Sequence, residues 1–298
     1  MELNQDVIEG PAREAASIVL LRDGAEGLEV LLMRRHARSQ VLGGAYVFPG
    51  GKLEHEDSSA AVLARLDTPV ARLHQALGEP ALPVSVAAGL FVAALREAFE
   101  ESGVLLARRD GALLEAAEAR QALQAARQQG MSFPPLLAQH DWQLDSHALA
   151  PWSRWITPRR PSVMNRRFDT RFFLAALPPW QQVRSDSFEI TEALWLTPRA
   201  ALQHYQQRQI DLAPPQIVSL LHLARFDDVA SALADARLRP PPLIEPESME
   251  QAGERVMCYP GDQAHPVAAQ AIPTTTRLVW RDKRFQPPEG FEPWLRGA

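Results

Sequence analysis

Residues 96–104, Arg-Glu-Ala-Phe-Glu-Glu-Ser-Gly-Val, constrain the fold more than any other stretch of the chain. A helix places positions three and four apart on one side, so Glu97, Glu100 and Glu101 share a face. Phe91, Leu95, Ala98 and Phe99 fall on the other side and can pack on a sheet. Clustered carboxylates repel one another, and their grouping costs stability unless something cationic sits among them. Hard divalent cations with oxygen ligands are the natural partner. Mg²⁺ in particular binds few carboxylates and keeps waters for substrate phosphates. A solvated acidic helix face is the ordinary alternative. Gly103 is suited to ending the helix in a left-handed turn.

The rest of the chain supplies elements for that helix to pack on. Residues 17–22 and 29–35 read as strands, and Asp23-Gly24 between them is a hairpin signal. Residues 45–49 are extended and closed by Gly50-Gly51. Helical patterns cover 59–77 and 84–102, interrupted by Gly-Glu-Pro-Ala-Leu-Pro at 78–83. Val104–Leu106 reads as a short strand, 110–129 as a helix and 167–177 as a strand. Pro198 and Pro214 open helices over 198–208 and 214–226, because proline suits a first turn. Only two of the 25 prolines precede Pro69, so short elements are expected late in the chain. Arg-Pro-Pro-Pro-Leu-Ile-Glu-Pro from Arg239 reads as a polyproline-like linker. The chain after it holds one strand candidate, Thr-Thr-Arg-Leu-Val-Trp-Arg-Asp.

A second half-motif lies upstream of the acidic helix, Phe48-Pro49-Gly50-Gly51-Lys52-Leu53-Glu54. Together the halves resemble the Nudix box, G-x5-E-x7-R-E-U-x-E-E-x-G-U, where U is a bulky apolar residue. Gly51 matches the opening glycine. Arg96, Glu97, Glu100, Glu101, Gly103 and Val104 match the second half, and Ala98 is smaller than the usual apolar residue. Asp57 stands at the first glutamate position, with Glu54 and Glu56 close by. The spacer runs from Ser58 to Leu95, with residues 58–88 as a helical insertion inside the box. Loop closure cost rises only logarithmically with length, so such an insertion is tolerable.

A box split in this way resembles the Nudix branch that includes the peroxisomal acyl-coenzyme A diphosphatases. Leu31-Leu32, Arg35 and Ala37 upstream of the box, the run Gly44–Pro49, Trp155-Ile156-Thr157-Pro158 and Arg167–Phe173 extend the likeness. It covers roughly residues 15–225. The resemblance implies an α/β/α sandwich with a mixed β-sheet. The expected organisation is a Nudix hydrolase domain over 1–236 and a proline-punctuated C-terminal extension over 237–298.

By resemblance the box helix holds Mg²⁺ or Mn²⁺, and water attacks one phosphorus of a diphosphate linked to another moiety. Glu97, Glu100 and Glu101 become metal ligands, joined by a backbone carbonyl of Gly50 or Gly51. Glu100, Glu189 and Arg96 are the expected catalytic residues. Arg96 orients the box acids through charge-assisted bonds rather than touching substrate. Glu189, six residues before Trp195, is the favoured extra ligand or general base, with Glu192 beside it. Arg35 and Arg38 are candidates for substrate phosphates, and Arg34 is their neighbour. Trp152 and Trp155 are either adenine-stacking or core. Arg167 and Arg171 flank Asp169, where an internal ion-pair network is at least as reasonable as substrate binding.

The implied reaction is hydrolysis of coenzyme A or acyl-coenzyme A to adenosine 3′,5′-bisphosphate and (acyl) phosphopantetheine. ADP-ribose or another nucleotide sugar is the nearest alternative substrate. A non-catalytic nucleotide-sensing Nudix module is the alternative of a different class. The net charge of −5 argues against nucleic acid as a partner. No apolar run approaches the ~20 residues needed to span a bilayer. The single cysteine, Cys258, cannot form an internal disulfide. The acidic N-terminal Met-Glu-Leu-Asn-Gln-Asp is unlike a secretory signal, and the C-terminal Trp-Leu-Arg-Gly-Ala is unlike a peroxisomal or retention tripeptide. These features set a cytoplasmic enzyme as the expectation, with a homodimer common in this fold.

Overall fold

A computed structural model describes residues 7–39, 42–160, 166–183 and 190–295. The expected hairpin is present: β1 (Arg13–Gly24) pairs antiparallel with β2 (Gly27–Arg35). Gly24 faces Gly27 across the pair, so Asp23-Gly24 ends β1 rather than forming the turn. β3 (Tyr46–Val47) adds to β2, and β4 (Gly50–Lys52) adds to β1.

The insertion in the box is helical. A 3₁₀ turn at His55–Ser58 leads into α1 (Ala60–Leu63), α2 (Val70–Leu77) and α3 (Val84–Glu97). The helical pattern over 59–77 is split because Pro69 stands at the N-cap of α2. In α3 every residue from Ala87 to Arg96 is buried, as befits a helix apolar on nearly all sides. The α-helix stops at Glu97. Ala98–Ser102 continue as one π-helical turn, a feature often found at functional sites, and Gly103 closes it at φ +73°.

Two expectations shift here. Val104–Leu106 is buried but not a strand; β5 (Ala107–Arg109) begins just after it. Asp110 and Gly111 both take positive φ and turn the chain into β6 (Ala112–Leu113). That tight hairpin delays the expected helix over 110–129, and α4 spans Ala116–Gln129. α5 (Phe133–His140) and β7 (Gln143–Leu144) follow, the latter completing a small sheet with β5 and β6.

β8 (Ala150–Ile156), β9 (Phe168–Ala176) and β10 (Ile190–Leu196) return to the main sheet, followed by α6 (Pro198–Gln206), α7 (Pro214–Leu223) and α8 (Val229–Leu238). β11 (Leu243–Ile244) joins its edge, giving the order β10-β2-β1-β9-β8-β11. β1 runs parallel to β9 and β8 to β11, while the other pairs are antiparallel. Alternation divides the strand side chains between two cores. Ile18, Leu20, Leu31, Met33 and Phe173 face α3, whereas Val19, Leu21, Val30, Leu32 and Leu174 face α6–α8. The result is the mixed-sheet α/β/α sandwich expected from the sequence.

Residues 237–298 hold more structure than a linker and one strand. β12 (Glu247–Gln251), β13 (Glu254–Cys258), β14 (Arg277–Arg281) and β15 (Arg284–Gln286) form an antiparallel sheet, followed by α9 (Glu292–Leu295). Met257, Tyr259, Leu278, Phe285 and Phe291 belong to the same apolar cluster as α6 and α7. The Tyr205 hydroxyl donates to the Phe285 carbonyl and accepts from the Phe285 amide, both at 3.0 Å.

His222 on α7 is buried and stacks on Trp152 with ring centroids 5.2 Å apart. Burial, aided by Arg239, lowers its pKa from 6.5 to about 4. Between these values the unfolded chain binds the extra proton, so stability falls as pH drops from about 6.5 to about 4. The shift corresponds to about 3 kcal/mol. His222→Phe should flatten the fall of Tm over that range; an unchanged slope would assign the acid sensitivity elsewhere.

Candidate active site

Arg96 ties the two halves of the box together. Its Nε donates to Asp57 Oδ1 at 2.9 Å and its Nη2 to Asp57 Oδ2 at 3.1 Å. Nη2 also donates to the Lys52 carbonyl at 3.1 Å. Nη1 donates to Glu97 Oε1 at 2.7 Å and to Glu100 Oε2 at 3.0 Å. Both Arg96 and Asp57 are buried. Asp57 also caps its own 3₁₀ turn, accepting the Glu54 amide at 2.9 Å. Asp57, rather than Glu54 or Glu56, therefore holds the arginine. The shorter side chain suffices because the 3₁₀ turn brings the carboxylate directly under the guanidinium.

The glycines approach the helix from the other side. The Gly50 amide donates to Glu101 Oε2 at 3.1 Å, and Arg35 Nη1 lies 3.9 Å from Glu101 Oε1. A Cβ on Gly51 would fall 2.2 Å from Glu97 Oε1, so any other residue there would push that carboxylate aside. Burial raises the pKa values of Glu97 and Glu100. Arg96 opposes the rise in both, and neighbouring carboxylates add to it. For Arg96, burial works against the charge, but the bonds to Asp57 and the attraction of Glu97 and Glu100 outweigh it and raise its pKa.

These groups line a cavity of about 780 Å³, within the range of small-molecule sites. Gly51, Arg96, Glu97, Glu100, Glu101 and Arg35 all line it. Arg38 does not. It is exposed beyond the end of β2, in a turn where its amide donates to His36 Nδ1 at 3.1 Å. Glu189 lies outside the described residues. Glu192 accepts from the Tyr46 hydroxyl at 2.6 Å and is not part of the lining. Trp155 is buried and lines the cavity, whereas Trp152 is core. Arg171 and Arg154 converge on Asp169 and Glu79, an internal network that also includes Glu14. Arg167 instead donates to the carbonyls of Thr157 and Gly10 and pairs with Glu245.

Other parts of the wall carried no site role in the sequence. Phe168 and Phe172 of β9, Pro214 and Gln216 at the start of α7, and Pro246 and Met257 from the C-terminal region complete it. For the β9 residues alternation was an available signal. For Pro246 and Met257 there was none, since only tertiary packing brings them in.

The donor set suits a hard divalent cation. The groups are all oxygens, and glycine at 51 lets the Glu97 carboxylate lie close against the backbone. Among the described residues no three Asp, Glu, His or Cys side chains are already gathered around one point. Glu97 and Glu100 are turned onto Arg96, which occupies one oxygen of Glu97 and leaves Oε2 for another partner.

The NUDT19 Nudix domain family matches residues 65–223. This chain belongs to that family. It is a Nudix hydrolase, as the box residues imply. Acyl-coenzyme A diphosphatase NUDT19 of Gallus gallus is 32% identical over 307 residues, spanning 85% of this chain and 80% of that protein. The Homo sapiens protein of the same name is 32% identical over 235 residues, spanning 68% of this chain and 62% of that one. Among solved structures, a Nudix hydrolase from Alicyclobacillus acidocaldarius superposes with a TM-score of 0.62 at 28% identity, covering 75% of this chain and 96% of that one. Among the described residues no helix is long and apolar enough to cross a membrane.

Proposed function

We propose that this Nudix hydrolase splits the diphosphate of coenzyme A or acyl-coenzyme A, giving adenosine 3′,5′-bisphosphate and (acyl) phosphopantetheine. The observation that carries the reading is that Glu97, Glu100 and Glu101 line one cavity together with apolar residues such as Phe48, Trp155, Phe168, Phe172 and Met257. A diphosphate between a nucleotide and an acyl-bearing arm offers both charged and apolar groups to such a lining. The names of the chicken and human relatives support the same substrate class.

In this reading Glu97 and Glu101 are the principal ligands of Mg²⁺ or Mn²⁺, with Glu100 and the Gly51 carbonyl completing the set. The bound ion would neutralise diphosphate charge and acidify the attacking water. The Gly50 amide holds Glu101 in place. Arg96 fixes Glu97 and Glu100 while itself locked onto Asp57. Arg35 stands beside Glu101, where it can meet a phosphate oxygen. Glu189 remains the candidate general base. Glu189→Gln should then lower kcat at least about 100-fold with Tm unchanged; an unaltered kcat would remove it from the reaction.

The substrate reading is tested by incubating the full chain and Mg²⁺ or Mn²⁺ with coenzyme A, acyl-coenzyme A, ADP-ribose, NADH and diadenosine polyphosphates. The highest kcat/KM is expected on the coenzyme A compounds. Preference for ADP-ribose would overturn the substrate assignment.

A further inference from the structure

We propose that Ser17 is a positioning residue of the active site: through the Pro49–Gly50 peptide it sets where the Glu101 carboxylate stands. The inference rests on the reading of Glu101 as a metal ligand, and it adds a residue outside the box that holds this ligand in place.

Ser17 is a hydroxyl in an apolar strand. Its neighbours in β1, Ala15, Ala16, Ile18 and Val19, are buried, and Ser17 itself is 6% exposed. A hydroxyl in such surroundings costs stability unless it is hydrogen-bonded. Ser17 Oγ donates to the Pro49 carbonyl at 3.0 Å. The Ile18 amide donates to the same oxygen at 2.9 Å. Two consecutive residues of β1 thus fill both lone pairs of one carbonyl.

The consequence appears on the other side of the same peptide. A peptide unit is planar, and in the trans form its C=O and N–H point in opposite directions. The Pro49–Gly50 bond is trans. Fixing the Pro49 carbonyl onto β1 therefore turns the Gly50 N–H away from β1, and it donates to Glu101 Oε2 at 3.1 Å. Gly50 is the register partner of Ser17. A Cβ at position 50 would fall 2.7 Å from the Ala16 carbonyl oxygen and 2.9 Å from Ser17 Cα. Those are backbone atoms and cannot swing aside, so glycine is what lets this peptide lie so close to β1. Glu101 belongs to the single π-helical turn after α3, and the tie to β1 adds a constraint from outside that turn.

Ser17 also lines the cavity. Its one proton is committed to Pro49, so it offers a ligand only an acceptor, which suits no phosphate oxygen. Its part is played through the peptide rather than by contact with the diphosphate.

The experiment combines Mn²⁺ calorimetry with steady-state kinetics on coenzyme A for the wild type, Ser17→Ala, Ser17→Thr, Glu101→Gln and Ser17→Ala/Glu101→Gln. Ser17→Ala should lower both Mn²⁺ affinity and kcat about tenfold, with KM within about twofold of wild type. Its Tm should fall by no more than about 4 °C, as for one lost hydrogen bond. Ser17→Thr restores the hydroxyl on a residue suited to a strand and should recover most of both losses. In the Glu101→Gln background Ser17→Ala should change kcat by less than about twofold, because both substitutions act on one carboxylate. Wild-type Mn²⁺ affinity and kcat in Ser17→Ala would overturn the proposal. So would a full tenfold further loss in the Glu101→Gln background, or a Ser17→Thr protein of wild-type Tm that performs no better than Ser17→Ala. A raised KM with kcat kept would put the hydroxyl on the substrate and overturn it too. Identical Mn²⁺ isotherms for wild type and Glu101→Gln would instead defeat the metal reading on which the proposal rests. Normal Mn²⁺ binding with inertness towards coenzyme A would defeat the substrate reading alone, and the titrations would still decide the role of Ser17.

Discussion

Glu101→Gln should lower kcat on coenzyme A about 1,000-fold, which corresponds to about 4 kcal/mol of transition-state stabilisation. Glutamine keeps the shape of the side chain and an oxygen for the Gly50 amide, now 3.1 Å from Glu101 Oε2. What it removes is the negative charge, and an oxygen-ligated divalent cation depends on that charge. Glu97→Gln should behave alike, since its glycine-bordered position offers an oxygen beside Arg96. Circular dichroism and Tm should stay near wild type for both. A kcat within about threefold of wild type would take these carboxylates out of the reaction.

Arg96→Ala should act on both stability and rate. The guanidinium is 5% exposed and satisfies Asp57, which is 1% exposed, along with Glu97, Glu100 and the Lys52 carbonyl. Removing it leaves a buried carboxylate without its partner, a change that costs about 3–5 kcal/mol. For a domain of this size that is a fall in Tm of about 10 °C. Arg96→Lys should recover little, because an ammonium cannot bond both Asp57 oxygens in a planar fork. Asp57→Asn should show part of the same loss. The two classes of variant therefore separate: Glu101→Gln loses rate with stability kept, and Arg96→Ala loses both. Thermal unfolding and steady-state kinetics on the same preparations decide it. An Arg96→Ala protein with wild-type Tm would mean that the arginine does not hold the box together.

The acidic helix was legible because periodicity alone puts Glu97, Glu100 and Glu101 on one side. What periodicity could not show is the change from α to π geometry after Glu97. The role of Asp57 was open in the sequence, because Glu54 and Glu56 compete for it on spacing. Burial and the two bonds from Arg96 decide among them. β1, β2 and β9 were legible as strands, β8 was not, and the sandwich was expected from the resemblance to the Nudix family. The C-terminal sheet was not legible. Glu-Ser-Met-Glu-Gln carries one apolar residue and Glu-Arg-Val-Met-Cys an unalternating run of three, and their pairing is specified by cross-strand partners and by packing on α6 and α7. Arg38, a substrate candidate by its closeness to Arg35, lies in the turn after β2 and outside the cavity lining. Proximity to Arg35 in sequence says nothing about the direction of a side chain once the strand has ended.

The central claim is that the box carboxylates hold a divalent cation, and titration of the purified full chain with Mn²⁺ tests it most directly. Calorimetry on the wild type should give a saturable isotherm, and the affinity should fall at least about 100-fold in Glu97→Gln and Glu101→Gln. Superimposable isotherms for wild type and both variants would contradict the account.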